Sequence, residues 1–278
     1  MTLSLLLLVL FAAVLHASWN VIVKVSSDQV VSLALLQTFM GVMGLLILTA
    51  FGFPIREAWP YAIASGILHT GYNLFLARSY KFGDLSLVYP VARGTAPLLT
   101  LLGTQVFTHD VLSSTALIGI ITLIIGIWLI TFSENVFRVH RTTLLFALAT
   151  SVFIGCYTIV DGLGGRASGN ASSYVGLIYL FDATGMLIAA PILRGRAIFA
   201  IMARSWKSGA LSAIMAGSTY WIVIWAMSQA PIAAVAALRE TSILFALLFS
   251  AKLLKEKMTW HRIVGVGCVV AGAIALHG

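Results

Sequence analysis

Apolar residues fill this chain in windows of about 20 that carry few or no charges, the length a helix needs to cross the hydrocarbon core of a bilayer. Polar residues gather in short stretches between these windows. The pattern predicts ten membrane-spanning helices over residues 3–23, 30–51, 59–78, 87–107, 114–132, 142–161, 173–193, 208–228, 231–251 and 260–277, joined by short loops. The first window lacks the basic start and small-residue cleavage site of a secretory signal and runs on through Trp19 and Asn20, so it reads as a membrane helix.

Composition points the same way, with 60% hydrophobic residues, 9% charged residues and a mean hydropathy of +1.01, outside the range of soluble domains. A formal charge of +8 would suit nucleic acid or another acidic partner, but the basic residues are dispersed over many loops. Membrane topology accounts for them. Setting aside Arg93 and Arg239, which fall inside spans, thirteen basic residues (Lys24, Arg78, Lys81, Arg138, Arg141, Arg194, Arg196, Arg204, Lys207, Lys252, Lys255, Lys257 and Arg262) follow odd-numbered spans, and only Arg56 and Arg166 follow even-numbered ones. The positive-inside bias makes the thirteen-residue side cytoplasmic and puts both termini in the periplasm of a bacterial inner membrane. Cys156 and Cys268 fall inside spans, with no disulfide or metal-site spacing, and read as packing residues.

The sequence also aligns with itself. At an offset of 146, Arg93 falls on Arg239, Thr95 on Thr241, Asp110 on Glu256, Gly119 on Gly265 and Gly126 on Gly272. Nearer the start of each half the offset is about 137, where Lys24 meets Asp161 and "WNVIVK" meets "CYTIVD". Residues 1–135 and 142–278 are thus two five-helix copies. Because five is odd, the second copy enters the membrane from the opposite side, an inverted repeat of the kind found in secondary transporters with a midplane site between the halves.

The five-plus-five layout, "LHASWNVIVK" in span 1, and the matched endings "HDVLSSTALIGIITLIIG" and "LLKEKMTWHRIVGVGCVVAG" resemble the EamA branch of the drug/metabolite transporter superfamily over essentially the whole chain. The resemblance implies export or uptake of small metabolites, often amino acids, through a central cavity between the halves. Two features depart from the family's pattern: the acidic residue closing span 4 is Asp110, preceded by His109, and many members bias their charges toward cytoplasmic termini.

An ionisable group at the bilayer centre costs at least ~2.5–3.5 kcal/mol on insertion scales, so each needs a partner or a purpose. Arg93, Asp182, Arg239 and Glu240 lie several residues inside spans. The two arginines occupy equivalent repeat positions and pair as an anion site, suited by the planar guanidinium to a carboxylate or phosphate. Pro90 and Pro97 are expected to loosen span 4. The competing reading is a closed structural network in which Asp182 and Glu240 neutralise the arginines. Adjacent helical positions lie about 100° apart, so Arg239 and Glu240 are expected to face different ways.

Three spans carry polar faces at helical spacing: His16, Trp19 and Asn20; His69, Tyr72 and Asn73; and Ser218, Tyr220 and Trp221, with Trp225 a turn further on. Such faces turn inward, either to line a cavity or to bond a neighbouring helix. His16 and His69 are titrating candidates for proton coupling, with Asp182 and Glu240 as alternatives. Gly41, Gly44, Gly265, Gly267, Ala271 and Gly272 permit close helix packing or a dimer face. The chain is expected to act as a monomer or homodimer. No phosphate-binding loop, metal cluster or Gly-x-Ser-x-Gly elbow is present, so no cofactor, metal or catalytic residue is expected. The leading reading is a secondary transporter, an exporter, of a small anionic or zwitterionic metabolite such as an amino acid or organic acid, and not an enzyme. Its rivals are a multidrug exporter of lipophilic cations and a membrane enzyme acting on a lipid-linked substrate.

Overall fold

The structure is a computed structural model that describes residues 1–278 except 25, 27, 83–84, 132–140, 255–258 and 278. Its described residues form α1 (Leu3–Lys24), α2 (Gln29–Phe51), a 3₁₀ turn (Arg56–Ala58), α3 (Trp59–Phe82), α4 (Leu85–Phe107), α5 (Ser114–Thr131), α6 (Arg141–Ala167), α7 (Ala171–Arg194), α8 (Ile198–Arg204), α9 (Trp206–Gln229), α10 (Ile232–Arg239), α11 (Ser242–Leu254) and α12 (Trp260–Ala275). Helices are the only local solution for such a chain, because hydrocarbon offers no partner for a backbone amide or carbonyl. The hydroxyls obey the same constraint. Thr38, Thr70 and Thr150 each bond the carbonyl four residues back, on Ala34, Gly66 and Phe146.

Six stretches are long and apolar enough to cross a membrane: Leu3–Val23, Gln29–Phe51, Leu144–Ala167, Ala171–Arg194, Trp206–Gln229 and Ile232–Phe249. Ser114–Ile130 and Trp260–Ala275 are apolar but shorter. The chain is therefore a multi-pass membrane protein whose outer surface is apolar, with Leu46, Ile67, Ile118, Ile188 and Ile274 exposed where lipid is the solvent.

Two details depart from the expected spans. The loop between spans 7 and 8 contains α8, and span 9 is not one helix but α10 and α11, interrupted at Glu240 and Thr241. Proline does not mark the interruption: α4 runs unbroken through Pro97. At the break, Glu240 N–H donates to Ala237 O, Thr241 N–H to Leu238 O and Ile243 N–H to Glu240 O, tighter three-residue bonds in place of the helical four-residue ladder. The Thr241 hydroxyl also takes the Leu238 carbonyl at 2.7 Å, competing with the backbone.

The core lies between the two halves. The most extensive contacts pair α5 with α12 and α2 with α7. Further contacts come in exchanged pairs, α3 on α6 with α1 on α9, α4 on α6 with α1 on α10 and α11, and α3 on α7 with α2 on α9. Glycine sets the closest approach. A Cβ on Gly126 would stand 2.7 Å from Gly265 O, and one on Gly272 would stand 2.6 Å from Gly119 O. Since the earlier glycine of α5 meets the later one of α12, these helices run antiparallel. Gly41 and Gly44 pack on α7 in the same manner, against Ala183 and Gly176. Gly41, Gly44, Gly265 and Gly272, read as packing or dimer-face residues, are thus used within one chain, whereas Gly267 has no neighbour among the described residues within 4 Å of its Cβ position.

Candidate functional site

The break after α10 builds the centre of the site. With the helix interrupted, Arg239 and Glu240 face one another, Nη2 to Oε1 at 3.2 Å, contrary to the divergence expected of neighbours on an unbroken helix. The other carboxylate oxygen of Glu240 receives Arg93 Nε from α4 at 3.1 Å. One buried carboxylate therefore joins two guanidiniums that occupy equivalent positions in the two copies. Arg93 also donates from Nη2 to His16 Nε2 of α1. A guanidinium can only donate, so His16 accepts through an unprotonated nitrogen. While that bond holds, His16 is not a proton carrier. Its ring meets Trp19 edge-on at 5.1 Å, and Trp19 Nε1 is buried with no hydrogen-bond partner. Arg239 Nε is likewise buried and unpartnered. Asn20 turns its amide back to the His16 carbonyl at 2.7 Å, a bond within its own helix.

A second group lies alongside. His69 of α3 stacks on Tyr157 of α6 with ring centres 4.0 Å apart and meets Tyr220 of α9 edge-on at 5.4 Å. Tyr72 meets Tyr157 edge-on at 5.8 Å, and Asn73 is buried nearby on the same helix. Asp182 of α7, expected to be able to neutralise an arginine, instead lies 3.7 Å from His69 Nδ1, and its Oδ1 has no hydrogen-bond partner. Tyr157 joins the two groups, lying within electrostatic reach of Arg93, Arg239, Glu240 and Asp161.

Asp161 is the residue that sequence reading missed. The sixth span ends at Asp161 when read by hydropathy, but α6 continues to Ala167 and leaves the carboxylate fully buried. Tyr220 donates its hydroxyl to one oxygen, and Tyr174 Oη approaches the other at 3.4 Å. A signal was present: "CYTIVD" answers "WNVIVK", so the acid occupies a repeat position filled by Lys24 in the first copy. Trp221 leaves the cluster altogether. It bonds Ser172 Oγ at 2.9 Å and packs edge-on against Phe51, tying α9 to the neighbouring ends of α7 and α2.

At one end of the bundle a further ion pair holds three connections together. Arg166 grips Asp110 with two bonds, of 2.7 and 3.1 Å, and donates to the carbonyls of Met227 and Ala230 at 2.8 Å each. Asp110 Oδ2 in turn accepts from Ile232 N–H at 2.9 Å, capping α10.

A solved crystal structure superposes with a TM-score of 0.76 at 16% sequence identity, covering 99% of this chain and 96% of that one, and so shares its fold. No curated protein matches the sequence. The model of the EamA-like transporter family matches twice, over residues 3–132 and 141–277, which gives two EamA-like repeats. The chain belongs to the EamA-like transporter family.

Proposed function

We propose that the chain is a secondary transporter that exports a small carboxylate-bearing metabolite, an amino acid or organic acid, across a bacterial inner membrane. Ten crossings in two inverted five-helix halves alternate access to a site at their junction. The antiparallel meeting of Gly119 with Gly272 and Gly126 with Gly265 supports the inversion, since a two-fold axis in the membrane plane exchanges these two contacts. Both termini are periplasmic on the distribution of Lys and Arg between the loops.

The observation that carries the substrate class is a pair of unsatisfied buried donors, Arg239 Nε on a bridged arginine and Trp19 Nε1 on the ring packed against His16. A buried donor without a partner costs ~1–3 kcal/mol, and an anionic oxygen at that point recovers it. His16, Trp19, Arg93 and Arg239 then contact the negative group, Glu240 holds the two arginines in place, and Tyr72, Tyr157 and Tyr220 receive the body of the solute. A second reading, export of lipophilic cations, draws on Asp161 and Asp182 among the tyrosines. Asn20, bonded within its own helix, and Trp221, which ties α9 to α7 and α2, serve helix packing in either case.

Thermal unfolding of the detergent-purified protein across amino acids, organic acids and quaternary amines separates the two, because a ligand that binds only the folded state raises its melting temperature. The anion site is expected to show stabilisation by a carboxylate compound in wild type that is lost in both Arg93→Ala and Arg239→Ala. Stabilisation by quaternary amines alone, equal in all three proteins, would reject it.

A further inference from the structure

Among the described residues, the buried interior holds two guanidiniums, Arg93 and Arg239, and three carboxylates, Asp161, Asp182 and Glu240. Glu240 serves both guanidiniums. Asp161 and Asp182 are left with no cation at ion-pair distance apart from His69, 3.7 Å from Asp182. Fully ionised, the cluster carries one negative charge in excess, and an uncompensated buried carboxylate is among the most expensive groups a protein can hold. One proton removes the excess. The groups that connect the two acids are in place: Asp182 faces His69, the His69 ring meets that of Tyr220 edge-on, and Tyr220 donates its hydroxyl to Asp161.

We propose that Asp161 and Asp182, linked through His69 and Tyr220, hold one exchangeable proton, and that this pair binds the coupling ion of the carrier apart from the arginine cluster. The two acids are not equivalent. Asp161 receives hydroxyls from Tyr220 and faces Tyr174, partners suited to an ionised carboxylate, whereas Asp182 Oδ1 receives none. The proton therefore rests on Asp182. The groups facing the pair are His69 from α3, Tyr157 from α6, Tyr174 and Tyr179 from α7, Tyr220 from α9, and Arg239 at the end of α10. None supplies a second positive charge at bonding distance. The word "coupling" rests on the transport reading; the proton itself does not.

Infrared difference spectroscopy of the full-length purified protein tests it, since a protonated carboxyl has a C=O stretch well separated from the bands of ionised carboxylates. Wild type is expected to show this band and to lose it as pH rises, with the band absent in Asp182→Asn and shifted in Asp161→Asn. Size-exclusion elution matching wild type verifies folding, and Asp182→Glu, which keeps the carboxyl, is expected to move the band if the amide variant does not fold. No protonated-carboxyl band in wild type at any pH, or one unchanged in both amide variants, overturns the proposal. So does stabilisation of wild type by sodium over choline without such a band, which would assign the pair to a metal cation. A band that behaves as expected in a protein that no solute stabilises would sink the transport reading while leaving the proton site standing.

Discussion

Glu240 touches the charged groups of both halves, and its removal is the most informative single change. Glu240→Gln leaves Arg93 and Arg239 buried and facing one another without their shared counter-charge. Breaking a buried pair from one side costs about 3–5 kcal/mol, so the variant is expected to unfold at a clearly lower temperature in detergent. Glu240→Asp, which keeps the charge with a shorter reach, should lose less; equal stability of wild type and Glu240→Gln would refute the bridge. The arginines were legible because the self-alignment places Arg93 on Arg239. Glu240 is legible as an intramembrane acid and, in the closed-network reading, as a counter-charge to the arginines, but not as the partner of its own neighbour Arg239, since the 100° rule that separates neighbours holds only while a helix continues. Tyr157 lies within the repeat segment "CYTIVD" without a role legible there, and Ser65 is an ordinary residue in an apolar run until the helices pack together.

Helices were read well in their interiors and poorly where hydropathy is blind to geometry. The interruption between α10 and α11 falls within a run of four polar residues, Arg239 to Ser242, and that run was a better marker of the break than the prolines of α4. The α8 helix, seven residues long, sits in a basic loop where no window of membrane length could reveal it. The glycines of α12 are legible as contact residues and those of α5 only as their repeat counterparts, and that the two sets meet emerges from the antiparallel packing alone. Gly126→Ala is expected to destabilise by about 1–3 kcal/mol, because its Cβ would press on the backbone of Gly265 and Val269, which cannot swing aside. Gly267→Ala, with open space at its Cβ, provides the contrast and should fall within ~1 kcal/mol of wild type. Equal melting temperatures for the two variants would show that this crossing is not close-packed.

The duplication was legible for the molecule as a whole, since family matches cover residues 3–132 and 141–277 and the helix contacts exchange between copies. Hydropathy could not foresee that the closest packing would join the copies to one another. Orientation is a property of the same scale. Periplasmic termini predict that a C-terminal alkaline phosphatase fusion is active and a C-terminal fluorescent protein that matures only in the cytoplasm is dark; the reverse would overturn the assignment.

The preference of each half for the other has a consequence for how the protein is made. Since α5, α2, α1 and α3 find their principal partners in α12, α7, α9 and α6, the first half emerges from the ribosome without its core and must wait in the bilayer, its glycine faces and arginine uncovered, until the second half arrives. Neither half is expected to fold independently. Expressed alone, residues 1–135 should be degraded by membrane quality control; co-expressed with residues 142–278 as a separate polypeptide, they should accumulate and co-purify, the covalent link being dispensable once both halves share a membrane.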